Sequence, residues 1–245
     1  MIDFKKFEKY SRPGPRYTSY PTAPEFSEEF THKDLIEFYK NQDDNRNLSL
    51  YIHLPFCRSA CYFCGCNVIF TSKEDKKVRY IQYLKKELEI LKKHLNTSRV
   101  VTQMHFGGGT PTFFSPEQLR EVISMLKQTF TNFSDNAEIS CEVDPRFFTK
   151  EHMDILKDGG FNRLSFGVQD IDPQVQKTIH RVQPYETTQE VMKIARDAGI
   201  KSINIDLIYG LPHQTAKSFH NTIEQVIKLN PDRLAVFNYA HVPWL

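Results

Sequence analysis

The chain has 245 residues, of which 40% are hydrophobic and 25% are charged, shares that are ordinary for a soluble globular protein. Its 32 basic and 30 acidic residues give a formal net charge of +2, so bulk charge gives no reason to expect nucleic acid or a membrane as a partner. The apolar runs are strand-sized, far short of the roughly 20 residues that cross a bilayer. The length allows one large domain or two small ones.

The first 47 residues carry little strand signal. Residues 11–21 are rich in Pro and Tyr, and because Pro fixes φ and lacks an N–H donor, this segment is predicted to be extended. Residues 26–39 can hold a short helix with Thr31 as its N-cap. We therefore expect residues 1–47 to form an N-terminal arm.

From Leu48 onward, strand patterns alternate with helix patterns. Strands are predicted over residues 48–53, 100–106, 138–142, 162–167, 202–209 and 233–239. Helices are predicted over residues 73–95, 115–130, 149–157, 173–180, 187–198 and 216–229. Six strands separated by helices predict a parallel α/β sheet, and several strands are almost continuously apolar, as expected for burial on both faces.

Polar residues and glycines gather where the predicted strands end. Cys57, Gly107, Glu142 and Gln169 stand at or just after strand ends, whereas Asp206 lies within its strand. The carboxyl ends of parallel strands meet at one rim, where α/β folds bind their ligands. The sequence therefore predicts a ligand site at this rim.

Four of the five cysteines lie within residues 57–66, directly after the first strand. A total of five cysteines is odd, and four of them are crowded, which is unlike a disulfide framework and indicates reduced thiols in a cytoplasmic protein. Cys57, Cys61 and Cys64 have the spacing C-x₃-C-x₂-C, which can hold three irons of a [4Fe–4S] cluster and leave the fourth iron open. The alternative is a structural zinc site that also uses Cys66, but such sites usually pair two separated cysteine couples, so the pattern favours iron–sulfur.

The cysteine spacing resembles the signature of radical S-adenosylmethionine (SAM) enzymes, and longer motifs resemble one of their families, the oxygen-independent coproporphyrinogen III oxidases (dehydrogenases). These motifs are Arg16–Thr22 (RYTSYPT), Tyr51–Cys57 (YIHLPFC), Cys64–Cys66 (CGC), Gly107–Thr112 (GGGTPT), Glu142–Arg146 (EVDPR) and Asn238–His241 (NYAH). The resemblance implies a partial, three-quarter parallel (β/α)6 radical SAM barrel over residues 48–245, with the family's C-terminal domain absent. Because no helix follows the last strand, we expect a chain truncated after its sixth strand.

The resemblance also implies an activity in haem biosynthesis. A 5′-deoxyadenosyl radical, made from SAM at a [4Fe–4S] cluster, would abstract hydrogen from two propionate side chains of coproporphyrinogen III. Each propionate would then lose carbon dioxide and one electron to become a vinyl group, giving protoporphyrinogen IX. A low-potential electron donor would be needed, and we expect a monomer.

Particular residues of this chain match the family's cofactor-binding positions. The cluster ligands would be Cys57, Cys61 and Cys64, whereas Cys66 would not ligate. Two SAM molecules would bind, and the catalytic set would be the three ligands with Tyr51. The first SAM would contact Tyr51, Gly108 and Glu142. The second would contact Phe63, Gly109, Thr110, Gln169, Arg181, Asp206 and Ala240.

The charged residues in this set each have an ordinary structural interpretation as well. Glu142 can fix a ribose hydroxyl or an amine, but a glutamate at a strand end is more often solvated or ion-paired. Asp206 needs a partner if it is buried, and a salt bridge would supply one. Arg181 can clamp a carboxylate with two hydrogen bonds or simply lie on the surface.

The uncharged residues also leave alternatives open. Gly107–Gly109 lets the backbone approach a ligand without a Cβ in the way, or forms only a tight turn. The Gln169 amide can act as a cap, and Tyr51 and Phe63 can be core aromatics. Cys141 is expected to be a buried, inert thiol.

Two further groups have open roles. Arg16, Tyr17 and Tyr20 of the arm can meet one of the substrate's four carboxylates or only wrap the barrel. His53 and His241 can handle protons or donate structural hydrogen bonds.

Three functions fit the sequence. The first is the oxidase, and the second is the related haem-binding chaperone, in which an aromatic residue usually stands at the position of Cys66. Cys66 and the Asn238–His241 motif favour the oxidase. The third is an inactive chain that holds a cluster.

Overall fold

The computed structural model describes residues 4–8, 25–41 and 46–240, and the chain divides into two compact units, Met1–Gln42 and Asp43–Leu245. The predictions for Arg16, Tyr17, Tyr20 and His241 lie outside the described residues. The first unit contains helices α1 (Phe4–Glu8) and α2 (His32–Lys40). Thr31 is the N-cap of α2, as predicted, and its backbone N–H donates to the Asp34 carboxylate at 2.7 Å.

The second unit alternates strands with helices. Its strands are β1 (Leu48–Leu54), β2 (Phe56–Cys57), β3 (Ile69–Phe70), β4 (Val101–Gly108), β5 (Phe133–Val143), β6 (Arg163–Gln169), β7 (Ser202–Tyr209) and β8 (Arg233–Asn238). Its helices are α3 (Glu74–Leu91), α4 (Pro116–Thr129), α5 (Lys150–Asp158), α6 (Pro173–Thr178), α7 (Tyr185–Asp197) and α8 (Ala216–Lys228).

Six strands form one sheet in the order β1-β4-β5-β6-β7-β8, and every neighbouring pair is parallel. This confirms the predicted parallel α/β architecture. Within the described residues β1 and β8 are the two edges, so the sheet is open, as in a partial barrel. In this part of the chain, no helix is long and apolar enough to span a bilayer.

The two faces of the sheet differ in chemistry. One face carries buried apolar side chains, such as Phe106 and Phe166, which join α4 residues such as Leu119 in the core. The other face carries polar side chains in neighbouring register positions: Tyr51, His105, Ser140, Glu142, Ser165, Asn204 and Asp206. The strands therefore alternate, in contrast to the predicted apolar runs, because the inner face lines a polar space.

A second, two-stranded sheet was not predicted. β2 pairs in parallel with β3, so that Cys57 lies opposite Phe70. The Ile69 N–H donates to the Pro55 carbonyl at 2.8 Å, and the Thr71 N–H donates to the Cys57 carbonyl at 3.0 Å. These bonds join the two ends of the cysteine loop, residues 58–68.

A buried polar network fixes the chain just after β6. Asp170 is fully buried, and its carboxylate accepts hydrogen bonds from the Thr222 hydroxyl at 2.6 Å and from the Asp172 N–H at 2.8 Å. The Gln214 amide donates to the same carboxylate at 2.5 Å. The network thus ties the end of β6 to α8 and to the loop after β7.

Candidate active site

The carboxyl ends of the sheet strands and the cysteine loop surround a cavity of about 230 Å³. Most residues predicted for the site line it: Cys57, Cys61, Phe63, Cys64, Gly108, Gly109, Thr110, Glu142, Gln169, Arg181 and Asp206. Tyr51 and Ala240 are not among the lining residues. Cys66 also lines it, as do residues to which the sequence analysis assigned no chemistry, most notably Asp144, Arg146 and Ser165.

The three thiols of the C-x₃-C-x₂-C motif have different surroundings. The Cys57 sulfur lies 3.3 Å from the Thr110 hydroxyl, and burial raises the pKa of Cys57. Cys61 is buried, and its sulfur accepts hydrogen bonds from Arg181 at 3.6 Å and from Arg146 at 3.9 Å. Two guanidinium groups thus face this sulfur.

The third thiol, Cys64, is hydrogen-bonded to Cys66. This bond lowers the pKa of Cys64 to about 6, although burial opposes the shift. The same bond raises the pKa of Cys66, which is an exposed residue. The pKa shifts of the two thiols thus have opposite directions and share one cause.

The donor set fits an iron–sulfur cluster. Soft thiolates select zinc or iron–sulfur clusters among the common biological metals. Cys57, Cys61 and Cys64 line one cavity, and cysteine thiolates are the usual ligands of a [4Fe–4S] cluster.

The glycine run after β4 packs tightly against the chain itself. Gly108 has a φ of +114°, and a Cβ there would lie 2.7 Å from the His53 ring. A Cβ on Gly109 would lie 2.7 Å from the Pro55 carbonyl carbon and oxygen. The Gly109 N–H donates to the Leu54 carbonyl at 2.9 Å. Glycine is thus required to seat the end of β4 against the start of the cysteine loop.

We expect Gly109→Ala to lower the free energy of unfolding by about 2 kcal/mol, because the new methyl group meets backbone atoms that cannot move away cheaply. Urea denaturation followed by circular dichroism measures the change. Gly65→Ala is the matched control, since no atom lies within 4 Å of the added Cβ. Equal unfolding midpoints for the two variants would contradict the packing role of Gly109.

Glu142 is held on the inner face of β5. Its carboxylate accepts hydrogen bonds from the Gly108 N–H at 3.2 Å and from the His105 ring at 3.3 Å. The other ring nitrogen of His105 bonds the Ser140 hydroxyl at 2.7 Å. These contacts orient the carboxylate toward the cavity that it lines.

Tyr51 stands beside this group rather than in the cavity wall. Its ring stacks on His105 with 5.9 Å between centroids, and its hydroxyl bonds the Nδ1 of His53 at 3.1 Å. The Nε2 of His53 lies 2.9 Å from the Asn67 carbonyl oxygen, which can only accept, so Nε2 carries the proton and Nδ1 accepts from Tyr51. Tyr51 is 59% exposed and is therefore not a core aromatic.

Asp206 is a carboxylate with neutral hydrogen-bond donors. The Asn204 amide donates to its carboxylate at 2.7 Å, and the Ser165 hydroxyl donates at 3.2 Å. Both donors are neutral, so these two bonds do not form the salt bridge that the sequence analysis considered. Burial raises the pKa of Asp206, and the two hydrogen bonds only partly oppose it. A cation beside Asp206 would attract its carboxylate and so offset the unfavourable effect of burial on the charged form.

Gln169 sits at an irregular point of β6. Its φ is +70°, a conformation rare for residues other than glycine, and the register shifts between Gly167 and Gln169. The strained backbone of Gln169 lies at the end of the strand. The next residue, Asp170, is fully buried and hydrogen-bonded, which holds the chain in this conformation.

The remaining predicted residues have simpler surroundings. Phe63 packs against a small apolar cluster that includes Ile179 and Leu211, in addition to lining the cavity. Cys141 is fully buried, and burial raises its pKa well above the usual value, as expected of an inert thiol. Ala240 is half-buried at the end of the described chain.

Arg181 is buried rather than on the surface. Its guanidinium donates to Asp144 at 3.0 Å and to the Gly167 carbonyl at 2.8 Å. Arg146 donates to the same Asp144 carboxylate at 2.7 and 3.0 Å. Burial alone would raise the pKa of Asp144, but the charges and hydrogen bonds of the two arginines outweigh it and hold the pKa below its usual range.

The Asp144–Arg146 pair lies in the EVDPR motif, so the sequence contained a signal for it. That motif entered the sequence analysis as a mark of resemblance, and no chemistry was assigned to the two residues. Their role becomes visible only when Cys61, distant in sequence, is brought beside them.

Comparisons with known proteins show which family the chain resembles. The profile of the Radical SAM superfamily matches residues 51–226. The oxygen-independent coproporphyrinogen III oxidase of Helicobacter pylori J99 is 65% identical over 247 residues, covering 100% of this chain and 54% of that protein. The protein of the same name from Pseudomonas aeruginosa is 46% identical, covering 98% of this chain and 53% of its own length.

A solved structure is also similar. The coproporphyrinogen III oxidase HemN of Escherichia coli matches with a TM-score of 0.88 and 46% identity, covering 94% of this chain and 52% of that one. The chain thus spans about half the length of the curated relatives it matches. Since the superfamily profile covers most of its residues, the chain belongs to the Radical SAM superfamily, which implies a [4Fe–4S] cluster and SAM as cofactors.

Proposed function

We propose that this chain carries the radical SAM part of an oxygen-independent coproporphyrinogen III oxidase, which converts two propionates of coproporphyrinogen III to the vinyl groups of protoporphyrinogen IX. The observation that carries the proposal is one cavity lined by Cys57, Cys61, Cys64 and the neighbouring Cys66, by Gly108–Thr110 and by the carboxylates Glu142 and Asp206. The high identity to proteins with this name supports it further.

The cluster ligands in this proposal are Cys57, Cys61 and Cys64. Cys66 lines the same cavity, but in this proposal it does not bind iron. When bound, the cluster and SAM supply the one-electron chemistry that removes a hydrogen atom from a propionate carbon.

The chain's own residues bind and orient the cofactors. Glu142 presents a fixed carboxylate, suited to an amine or ribose hydroxyl of the first SAM, and the Gly108 backbone packs beside it. Asp206 and Gln169 line the cavity for the second SAM together with Thr110 and Phe63. Because the pKa of Asp206 is raised, a sulfonium or ammonium near it would hold it in the charged form.

Several finer proposals accompany this one. We propose an arm over residues 1–47 and a barrel over residues 48–245, a monomeric state, a cytoplasmic location and a low-potential electron donor. Tyr51 belongs to the catalytic set, because its ring stacks on His105, which is hydrogen-bonded to Glu142. Ala240 is a further contact of the second SAM.

An activity assay tests the proposed function. We expect the anaerobically reconstituted chain, given coproporphyrinogen III, SAM and a strong reductant, to form the tricarboxylic intermediate and then protoporphyrinogen IX, detected by mass spectrometry. Glu142→Ala should lower the yield at least tenfold, while Glu121→Ala, an exposed residue of α4, should leave it unchanged. Stoichiometric haem binding without product would favour the chaperone instead.

A further inference from the structure

Two arginines share one buried carboxylate beside a cluster ligand. Arg146 and Arg181 both donate to Asp144, and both also donate to the sulfur of Cys61, at 3.9 and 3.6 Å. The Asp144 and Arg181 side chains are only 5% and 9% exposed, so this group is held in a place of low dielectric.

The charges of this group are unequal. Two guanidiniums face one carboxylate, and the lowered pKa of Asp144 keeps that carboxylate ionised. One positive charge is left over in a buried position, where an uncompensated charge is unfavourable. The Cys61 thiolate, in its ligating form, is the anion that both arginines already contact.

We propose that Asp144 clamps Arg146 and Arg181 against the Cys61 sulfur and that these two arginines thereby raise the reduction potential of the cluster. The proposal rests on the cluster ligation proposed above and assigns a role to Arg146 and Asp144, which neither bind the iron nor belong to the predicted SAM contacts. They are positioning and tuning residues.

The physical reason lies in the electron that the cluster gains. One-electron reduction adds one negative charge to the cluster, while no bond forms or breaks and no proton moves. Hydrogen bonds and positive charge at a ligand sulfur stabilise the reduced form more than the oxidised form, which moves the potential upward. Removing an arginine that donates to Cys61 should therefore lower the reduction potential of the cluster, and removing the negative charge of Asp144 should raise it.

Potentiometric titration of the reconstituted chain tests the proposal. The electron comes from dithionite through redox mediators, and the reduced cluster is read by low-temperature electron paramagnetic resonance without SAM or substrate. We expect Arg146→Gln to lower the ratio of reduced to oxidised cluster about tenfold at a fixed potential, which corresponds to about 59 mV for a one-electron couple. Arg146→Lys keeps the charge and should recover most of the shift.

The sign of a second variant separates tuning from a merely structural role. Asp144→Asn keeps a carbonyl oxygen that can accept from both arginines but removes the negative charge, so we expect a shift in the opposite direction. Arg79→Gln is the control, because Arg79 lies on the exposed side of α3 beside Tyr83.

Three results would overturn the proposal. The first is a reduction potential of Arg146→Gln equal to that of Arg79→Gln. The second is a shift of the potential in the same direction for Arg146→Gln and Asp144→Asn. The third is loss of iron from every variant of Asp144 and Arg146. Since neither SAM nor porphyrinogen is present, these results are independent of the coproporphyrinogen assay.

Discussion

Replacing Cys61 with alanine is expected to abolish iron binding, whereas replacing Cys66 is not. Cys61 is buried against two guanidiniums and belongs to the three-thiol motif, while Cys66 is exposed and lies outside that motif. After anaerobic reconstitution, the wild-type chain and Cys66→Ala should each hold about four irons and four sulfides, as a [4Fe–4S] cluster requires. Cys61→Ala should hold none after gel filtration.

Cys141→Ala is the matched control, because it removes a thiol that is fully buried in the sheet. It should keep its iron. Equal loss of iron from Cys66→Ala and Cys61→Ala would contradict the three-ligand assignment. One tightly held zinc per chain in place of four irons, measured by mass spectrometry, would support the four-thiol zinc site that the sequence left as the alternative.

The largest expected effect on stability comes from Asp170→Ala. This change leaves the fully buried Thr222 hydroxyl without its acceptor and removes one of the two acceptors of the Gln214 amide, and a buried donor left without a partner costs about 1–3 kcal/mol. We expect the free energy of unfolding to fall by about 3 kcal/mol, measured by urea denaturation.

Asp154→Ala serves as the control for this stability measurement. Asp154 is exposed on α5, so we expect its loss to change the free energy of unfolding by less than about 0.5 kcal/mol. Asp170→Asn keeps one acceptor oxygen and should fall between the two. Similar stabilities for Asp170→Ala and Asp154→Ala would contradict the role given to the buried network.

The sequence predicted the sheet well because its signals are local. Ser115 and Pro116 mark the start of α4, and the branched apolar residues Ile203, Ile205, Leu207 and Ile208 mark β7, so each element could be found from its own residues. β2 and β3 were missed because two residues each are too few for a periodic pattern. Their pairing depends on contacts between residues more than ten positions apart.

The site was predicted less completely for a related reason. The spacing of Cys57, Cys61 and Cys64 is a local pattern and indicates its chemistry directly. The glycine run was expected to make room for a ligand, whereas Gly109 also makes room for Pro55, which no pattern within the run reveals. The contacts of Arg146 and Arg181 with Cys61 cross about 85 and 120 positions of sequence and appear only in the folded chain.

The pairing of β2 with β3 has a consequence for how a cluster is assembled. Bringing together the ends of a flexible loop as long as residues 58–68 costs about 2 kcal/mol of chain entropy. Here backbone hydrogen bonds donated by Ile69 and Thr71 offset that cost, and neither bond involves a thiol. The ends of the loop that carries Cys61 and Cys64 are therefore held together without the thiols, so we expect the loop to stay closed when the thiols bind no metal.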